Sequence, residues 1–429
     1  MVHNAKKSNG FFFYIFAVIC IFCYIYQFNL EFLGLPVINS SVQISWALMF
    51  LYAVFVSLSN KKIINFKGVK TYGRWKKHVV YFIVLFVYSL LLLVVVGWGK
   101  GTNISLEIIK IFIYGILMFW IWSVMFDSID TFLNALLIAS VIQTVIIIYC
   151  LIDPTFAFVL DQTVNLDPNS SEHETSVLRE GYAGGIGCIS SYGLIRYTLT
   201  GLFPCTYFCI KKKGVFYLVL FVIMAFCASM VARTGLLFDA IFAIYIIIKR
   251  LRSSSRVSIV SLIVVSIIGI FAIRTFFYSS QYNDFVEERF YRYESLMDDK
   301  GSVFFDSYFH GTRTKYPPIN SETILGVGVT SGTSANGYKV NVDGGPMRQY
   351  SAIGIVGCLL FYFFVMRNQA KTISLLRIKN NRHLLWLLFL ILFISEWKET
   401  TYMALWPLMF FFFVSYLLQV EESRNQVKV

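Results

Sequence analysis

Residues 61–98 read KKIINFKGVKTYGRWKKHVVYFIVLFVYSLLLLVVVGW. Lys61, Lys62, Lys67, Lys70, Arg74, Lys76 and Lys77 crowd its first half, and Val79 to Trp98 carries no charge. About 20 apolar residues, each rising ~1.5 Å along a helix, cross a hydrocarbon core about 30 Å thick. Lys/Arg-rich loops beside such spans stay cytoplasmic. This stretch therefore fixes both the fold class and the orientation: an all-α, polytopic membrane protein with residue 61 inside.

Working outward predicts about twelve helices at the ~20-residue length of a span. Phe11 to Leu30 and Val42 to Leu58 precede the basic loop, so the N-terminus is cytoplasmic. Spans follow at Val79–Trp98, Ile104–Phe126 and Thr131–Ile152. The polar stretch Asp153–Ile186 falls outside. Cys188–Ile210 returns to Lys211, Lys212 and Lys213. Val215–Val231 and its successor flank a tight outer turn, Ala232 to Gly235, and the successor ends before Lys249, Arg250, Arg252 and Arg256. Val257–Tyr278 leads into the longest polar segment, residues 279–349. Tyr350–Met366, Leu384 to about Ser395 and Tyr402–Val420 complete the set, with a cytoplasmic tail. Three regions result: spans one to nine over 1–278, a large extracytoplasmic loop over 279–349, and the last three spans with the tail over 350–429. Each basic run lands on one side without adjustment; Asp127–Asp130 is the exception, an acidic loop on the inner face.

Composition agrees. Of 429 residues 57% are hydrophobic and 14% charged, against about 25% charged in soluble domains. The net charge of +13 is the positive-inside bias rather than a nucleic-acid surface. Most of the eight cysteines fall within apolar spans, where Cys behaves as a small hydrophobe, so neither a disulfide framework nor a zinc site is expected. No small-residue cleavage motif follows the first apolar stretch, which reads as a retained span. No internal repeat or low-complexity tract is evident.

Ionisable residues left near the spans gather toward the outer side. Glu107 and Lys110 lie in the first turns of span four, and Arg196, Arg233, Asp239, Arg274, Glu396, Lys398 and Glu399 fall at comparable outer depths. Snorkelling accounts for Lys and Arg near helix ends, and Glu107 and Lys110 are spaced to pair with each other. Asp239 is too short to snorkel far. Charge within a span marks a functional site by default.

The large loop adds Arg289 and Arg292 on one face of a predicted helix from Asp284 to Asp298, then Arg313, Lys315 and Arg348. Arginine presents a fixed, permanently charged fork suited to phosphate. Tyr282, Tyr291, Tyr293, Tyr308 and Tyr316 suit sugars or a membrane interface equally. His310 is the loop's one histidine. Several outer cations beside lipid suggest an anionic, lipid-linked substrate, with a pyrophosphate as the natural fit. No Walker A, dinucleotide fingerprint or zincin motif is present.

Three stretches resemble one family. Ala232-Arg233-Thr234-Gly235-Leu236-Leu237 resembles the S-R-T-G-L-L turn of the O-antigen polymerase and ligase superfamily, which holds the Wzy-type polymerases and the lipopolysaccharide ligases. Leu325-Gly326-Val327-Gly328 resembles the L-G-x-G of their large periplasmic loop. Asp343-Gly344-Gly345-Pro346-Met347-Arg348, followed by Gly354-Ile355-Val356-Gly357, resembles their D-x-G-x-x-R and G-x-x-G start of the next span. Arg196 ahead of Thr200-Gly201 is similar to an R-x-x-G stretch. Val231-Ala232 stands before Arg233 where the family often has a small polar residue.

The resemblance implies a metal-independent glycosyltransferase without cofactor in the bacterial cytoplasmic (inner) membrane, working at its outer face. Its substrates would be undecaprenyl-pyrophosphate-linked oligosaccharide repeat units. Its partners would be those lipid-linked units, membrane lipids, a chain-length regulator and a flippase. Arg233 with Arg289 or Arg292 would hold the pyrophosphate, supported by Arg313, Arg196, Arg274 and Arg348. Asp343, His310 and Glu294 are the general-base candidates in that order. Ligases commonly carry His-Asn where this chain has Asp343-Gly344, which favours a polymerase over a ligase. A flippase for the same lipid is the alternative outside the enzymes. The absence of repeats and the apolar inner half of the spans weigh against it.

Overall fold

Apolar runs this long, short of Pro and Gly, can satisfy their backbone only as helices once water is excluded. The computed structural model describes residues 11–30, 40–59, 70–95, 115–153, 155–156, 159–160, 185–186, 191–212, 214–231, 234–252, 324–327, 332–333, 339–340, 345–398, 401–402 and 406–427. These are almost entirely helical. Three helices, Ser41–Ser59, Ile129–Ile152 and Gly345–Ile373, are long and apolar enough to cross a membrane. Phe11–Ile25, Gly115–Met125 and Val215–Val231 are shorter apolar helices. The chain divides into two compact units, Met1–Ser59 with Asp130–Tyr291, and Asn60–Ile129 with Arg292–Val429.

The first unit contains α1 (Phe11–Ile25), α2 (Ser41–Ser59) and, beyond α3 and α4 of the other unit, α5 (Ile129–Ile152), α6 (Ser191–Tyr197), α7 (Phe203–Lys211), α8 (Val215–Val231) and α9 (Thr234–Leu251). Its basic end is tied together by polar contacts. Lys211 Nζ reaches the Asp130 carboxylate at 2.8 and 2.9 Å, and the Tyr207 hydroxyl donates to the same carboxylate at 2.8 Å. This accounts for the acid in the Asp127–Asp130 loop: Asp130 neutralises the lysine that ends α7. Arg250, buried at the end of α9, donates to the Cys209 carbonyl at 3.0 Å and the Gly214 carbonyl at 3.2 Å. It thereby satisfies carbonyls that the end of α7 leaves open.

The second unit contains α3 (Lys70–Val95), α4 (Gly115–Met125), the two-residue antiparallel strands β1 (Gly332–Thr333) and β2 (Lys339–Val340), α10 (Gly345–Ile373), α11 (Lys379–Lys398) and α12 (Pro407–Val427). Helices α3 and α10 run antiparallel. Asn368 Nδ2 donates to the Arg74 carbonyl at 3.0 Å near one end, Tyr81 and Phe364 stack at 4.4 Å between centroids, and Tyr88 meets Ile353 near the other. Aromatic side chains fill the core: Trp75 against Phe119 and Phe412, both at 5.5 Å, and Phe119 edge-on to Phe413 at 5.5 Å. Between apolar helices in lipid such packing drives association, since lipid tails are as apolar as the side chains.

Several helices differ from their sequence-based limits. Leu384–Ser395 is the core of a 20-residue helix, Lys379–Lys398. Glu396 therefore lies within α11, not between spans. Helix α10 starts at Gly345, five residues ahead of the expected Tyr350, and bends at Gly354. The last helix begins at Pro407 rather than Tyr402.

Glu422 of α12 is buried and holds the start of α11. Its carboxylate accepts the Arg377 N–H at 2.8 Å, the Ile378 N–H at 3.0 Å and Asn381 Nδ2 at 2.9 Å. It serves as an N-cap supplied from another helix, the place where a carboxylate stabilises open N–H groups. Glu422→Ala should lower stability by about 1–3 kcal/mol, read as an earlier thermal transition of the detergent-purified protein, with Glu422→Gln intermediate. A transition unmoved by Glu422→Ala would contradict this role.

Candidate functional site

Of the site residues expected from sequence, Arg196 and Arg348 are among those described. Arg233, Arg274, Arg289, Arg292, Arg313, Asp343, His310 and Glu294 lie outside the described residues. Arg196 belongs to the first unit and Arg348 to the second.

Pro204 shapes the surroundings of Arg196. It has no N–H to give the carbonyl of Thr200, four residues back. The helix widens there: Thr198–Leu202 forms a π turn between α6 and α7, with the Phe203 N–H donating to the Thr198 carbonyl. Single π turns inside α-helices recur at functional sites. Arg196, 8% exposed, sits one residue outside the turn's N-cap and donates through Nη2 to Gln27 Oε1 at 3.0 Å.

Beside it the Tyr26, Ser140 and Thr200 hydroxyls form a closed triangle with edges of 2.7 to 2.8 Å. Thr200 also donates to the Arg196 carbonyl at 2.7 Å. A second link joins Thr144 to the Tyr197 hydroxyl at 2.6 Å. Tyr197 is within hydrogen-bond range of Cys227 on α8, and Asp239 on α9 lies near that thiol. One Asp239 oxygen, Oδ1, is buried without a hydrogen-bond partner among the described residues.

The result is a polar seam through otherwise apolar helices. At ~1.5 Å per residue, Ser140, Asp239 and Arg196 stand about 15 to 22 Å along their helices from Asp130, Arg250 and Lys211. The sequence singled out Arg196 and Asp239. Thr200-Gly201 entered only beside Arg196 in a motif, and Tyr26, Ser140, Thr144 and Tyr197 were missed, although Pro204 inside an apolar span was an available signal.

In the second unit the resemblance motifs meet. Gly326 has φ +92° and Gly354 φ +70°, backbone conformations that strain any residue with a Cβ. A Cβ on Gly326 would stand 2.5 Å from the Gly354 nitrogen, and one on Gly354 would stand 2.5 Å from the Leu325 carbonyl carbon. The two backbones touch because neither residue has a side chain. The bend at Gly354 leaves α10 carbonyls open, and both neighbours fill them. Val327 N–H donates to Ser351 at 2.7 Å, and the Tyr88 hydroxyl donates to Ile353 at 3.2 Å. Segment Ile324–Val327 is thereby fastened to the first turns of α10.

Arg348 lies in the first turn of α10, half-buried. A helix N-terminus beside a guanidinium favours an anion. Gln349, next to it, is fully buried with neither amide atom bonded among the described residues.

Glu396 is a carboxylate near the end of α11. It is buried, accepts the Tyr362 hydroxyl at 2.6 Å and accepts the Tyr402 N–H at 2.6 Å. The first bond ties α11 to α10 and the second holds the turn after α11, which gives Glu396 a structural task that sequence position alone did not reveal.

Among the described residues no three His, Cys, Asp or Glu side chains gather closely enough to hold a metal ion. No family model matches the chain, and no curated protein or solved structure matches it.

The glycine junction makes a sharp prediction. Gly354→Ala or Gly326→Ala should destabilise the protein by about 2 kcal/mol or more, combining the cost of a left-handed non-glycine residue with a backbone collision. Gly214→Ala, whose nearest contact beyond its immediate neighbours is the Tyr217 ring at 3.7 Å, should shift the thermal transition far less. Equal transitions for all three variants would contradict the junction.

Proposed function

We propose that the protein polymerises undecaprenyl-pyrophosphate-linked oligosaccharide repeat units at the outer face of the bacterial cytoplasmic membrane, building an O-antigen or a related surface polysaccharide. The reading takes about twelve spans, cytoplasmic termini and an extracytoplasmic loop over 279–349. One observation supports it above the others: the two glycine motifs of the resemblance interlock backbone to backbone, with Arg348 in the adjoining turn, at the end of α10 away from its basic residues. The buried Arg196 beside a π turn lends further support.

In this mechanism the acceptor is the terminal sugar of a new lipid-linked unit. Its hydroxyl oxygen attacks the anomeric carbon of the growing chain. The glycosidic C–O bond forms as the bond from that carbon to the pyrophosphate oxygen breaks. Undecaprenyl pyrophosphate leaves with the electron pair, and the hydroxyl proton passes to a general base. Asp343, then His310 and Glu294, are the proposed bases. Arg233 with Arg289 or Arg292 would stabilise the charge developing on the leaving pyrophosphate. Arg313, Arg196, Arg274 and Arg348 would contribute from further out. Transition-state charge held by fixed donors is commonly worth about 10²–10³ in rate per donor.

The test is a gene deletion in the native host, complemented at matched expression with wild type, Arg233→Ala, Arg348→Ala or Arg348→Lys, and read as a surface-polysaccharide ladder on a gel. The expected result is collapse to a single repeat unit in the deletion strain and with Arg233→Ala. Arg348→Ala should shorten or abolish the ladder, and Arg348→Lys should restore part of it. Polymer trapped on the undecaprenyl carrier would indicate a ligase instead. Units held on the cytoplasmic side would indicate a flippase. A normal ladder in the deletion strain would overturn the whole reading.

A further inference from the structure

At the basic end of the second unit, α3 and α10 bring four cations to one seam. Arg74 and Lys77 lie in the first two turns of α3, and Arg367 and Lys371 are one turn apart near the end of α10. Their placement is fixed: Asn368, next to Arg367, donates to the carbonyl of Arg74 at 3.0 Å. Arg367, Arg74 and Lys77 are all close enough to repel the Lys371 ammonium. Among the described residues none of the four forms an ion pair. Arg367 lies over the Phe363 ring, its guanidinium carbon 5.5 Å from the centroid. Four like charges held along one helix seam repel one another, and an anion among them would remove that cost.

Directly beyond the cations the same two helices enclose a groove of about 90 Å³. It runs along His78, Tyr81 and Tyr88 of α3 and Gly357, Leu360 and Phe364 of α10, and its accessible lining is entirely apolar. The flanking surface is apolar as well, with Val84 54% and Leu359 67% exposed. The order along the seam is therefore charge, then an oily channel, matching a phosphate headgroup followed by an acyl chain.

We infer that the α3–α10 seam is a binding seat for an anionic phospholipid, its phosphate among Arg74, Lys77, Arg367 and Lys371 and one acyl chain in the groove beyond them. Cationic pockets between membrane helices on the cytoplasmic side hold anionic headgroups in this way. The groove distinguishes the seat from a general attraction of basic residues to an anionic leaflet, which needs no cavity. The inference does not rest on the proposed polymerase activity.

Native mass spectrometry of the full-length protein in detergent tests it, with phosphatidylglycerol, phosphatidylcholine or inorganic phosphate added. Wild type should retain phosphatidylglycerol and neither of the other two. Arg367→Gln with Lys371→Gln should weaken retention about 10- to 30-fold, while Arg367→Lys with Lys371→Arg keeps it. Leu360→Trp, which fills the groove from a partly exposed position, should weaken retention with all four cations intact. These positions are at the surface, and unchanged thermal transitions confirm that the variants fold. Three results would each overturn the inference: wild-type retention in the glutamine variant, wild-type retention in Leu360→Trp, or inorganic phosphate displacing the lipid as a full competitor.

Discussion

Gly326 and Gly354 touch through their backbones, and the arrangement of the second unit away from its basic end depends on that contact. A bend in a membrane helix exposes carbonyls that lipid cannot satisfy. Here the bend at Gly354 survives because Val327 and Tyr88 donate to the carbonyls it opens. The first turns of α10, with Arg348 and Gln349, are thus aimed independently of the long straight part of the helix. The loop segment before them is pinned in the same step. Any side chain at either glycine would separate the two backbones and release both constraints.

The first unit meets an equivalent problem by another route. Pro204 removes a donor from the middle of an apolar helix, and a π turn takes up the mismatch. The hydroxyls of Tyr26, Ser140 and Thr200 then close around the widened turn. A polar seam in an apolar surrounding is costly unless every member finds a partner. In this one Tyr26, Ser140 and Thr200 satisfy one another, while Asp239 Oδ1 and Thr198 Oγ1 are buried without a hydrogen-bond partner among the described residues. In both units the irregular backbone stands away from the basic ends, while the basic ends carry capping and pairing: Arg250 on α7, Glu422 on α11, Lys211 with Asp130.

Sequence reading recovered what depends on local composition. Apolar length located α2, α5 and the straight part of α10, and the basic runs at Lys211 and Arg250 do fall at the ends of α7 and α9. Motif order drew attention to Gly326 and Gly354 without revealing that they meet. That contact is non-local and rests on two positive φ angles, which no residue pattern states. Glu396 looked like a charge between spans, because its Tyr362 and Tyr402 partners come from a neighbouring helix and a following turn. Asp130 looked anomalous until Lys211 was found beside it. The hydroxyl triangle was invisible for the same reason, since Tyr, Ser and Thr within apolar spans carry no signal until three helices bring them together.

The central claim is that the protein itself joins lipid-linked glycans. The most direct measurement is reconstitution of the purified protein into vesicles with undecaprenyl-pyrophosphate-linked repeat units, following glycan length and free undecaprenyl pyrophosphate together. The account predicts that glycans of many units form, that one undecaprenyl pyrophosphate is released per bond made, and that neither a nucleotide sugar nor a divalent metal is needed. Repeat units that remain single while the reconstituted protein is folded, or units that cross the bilayer without being joined, would contradict it.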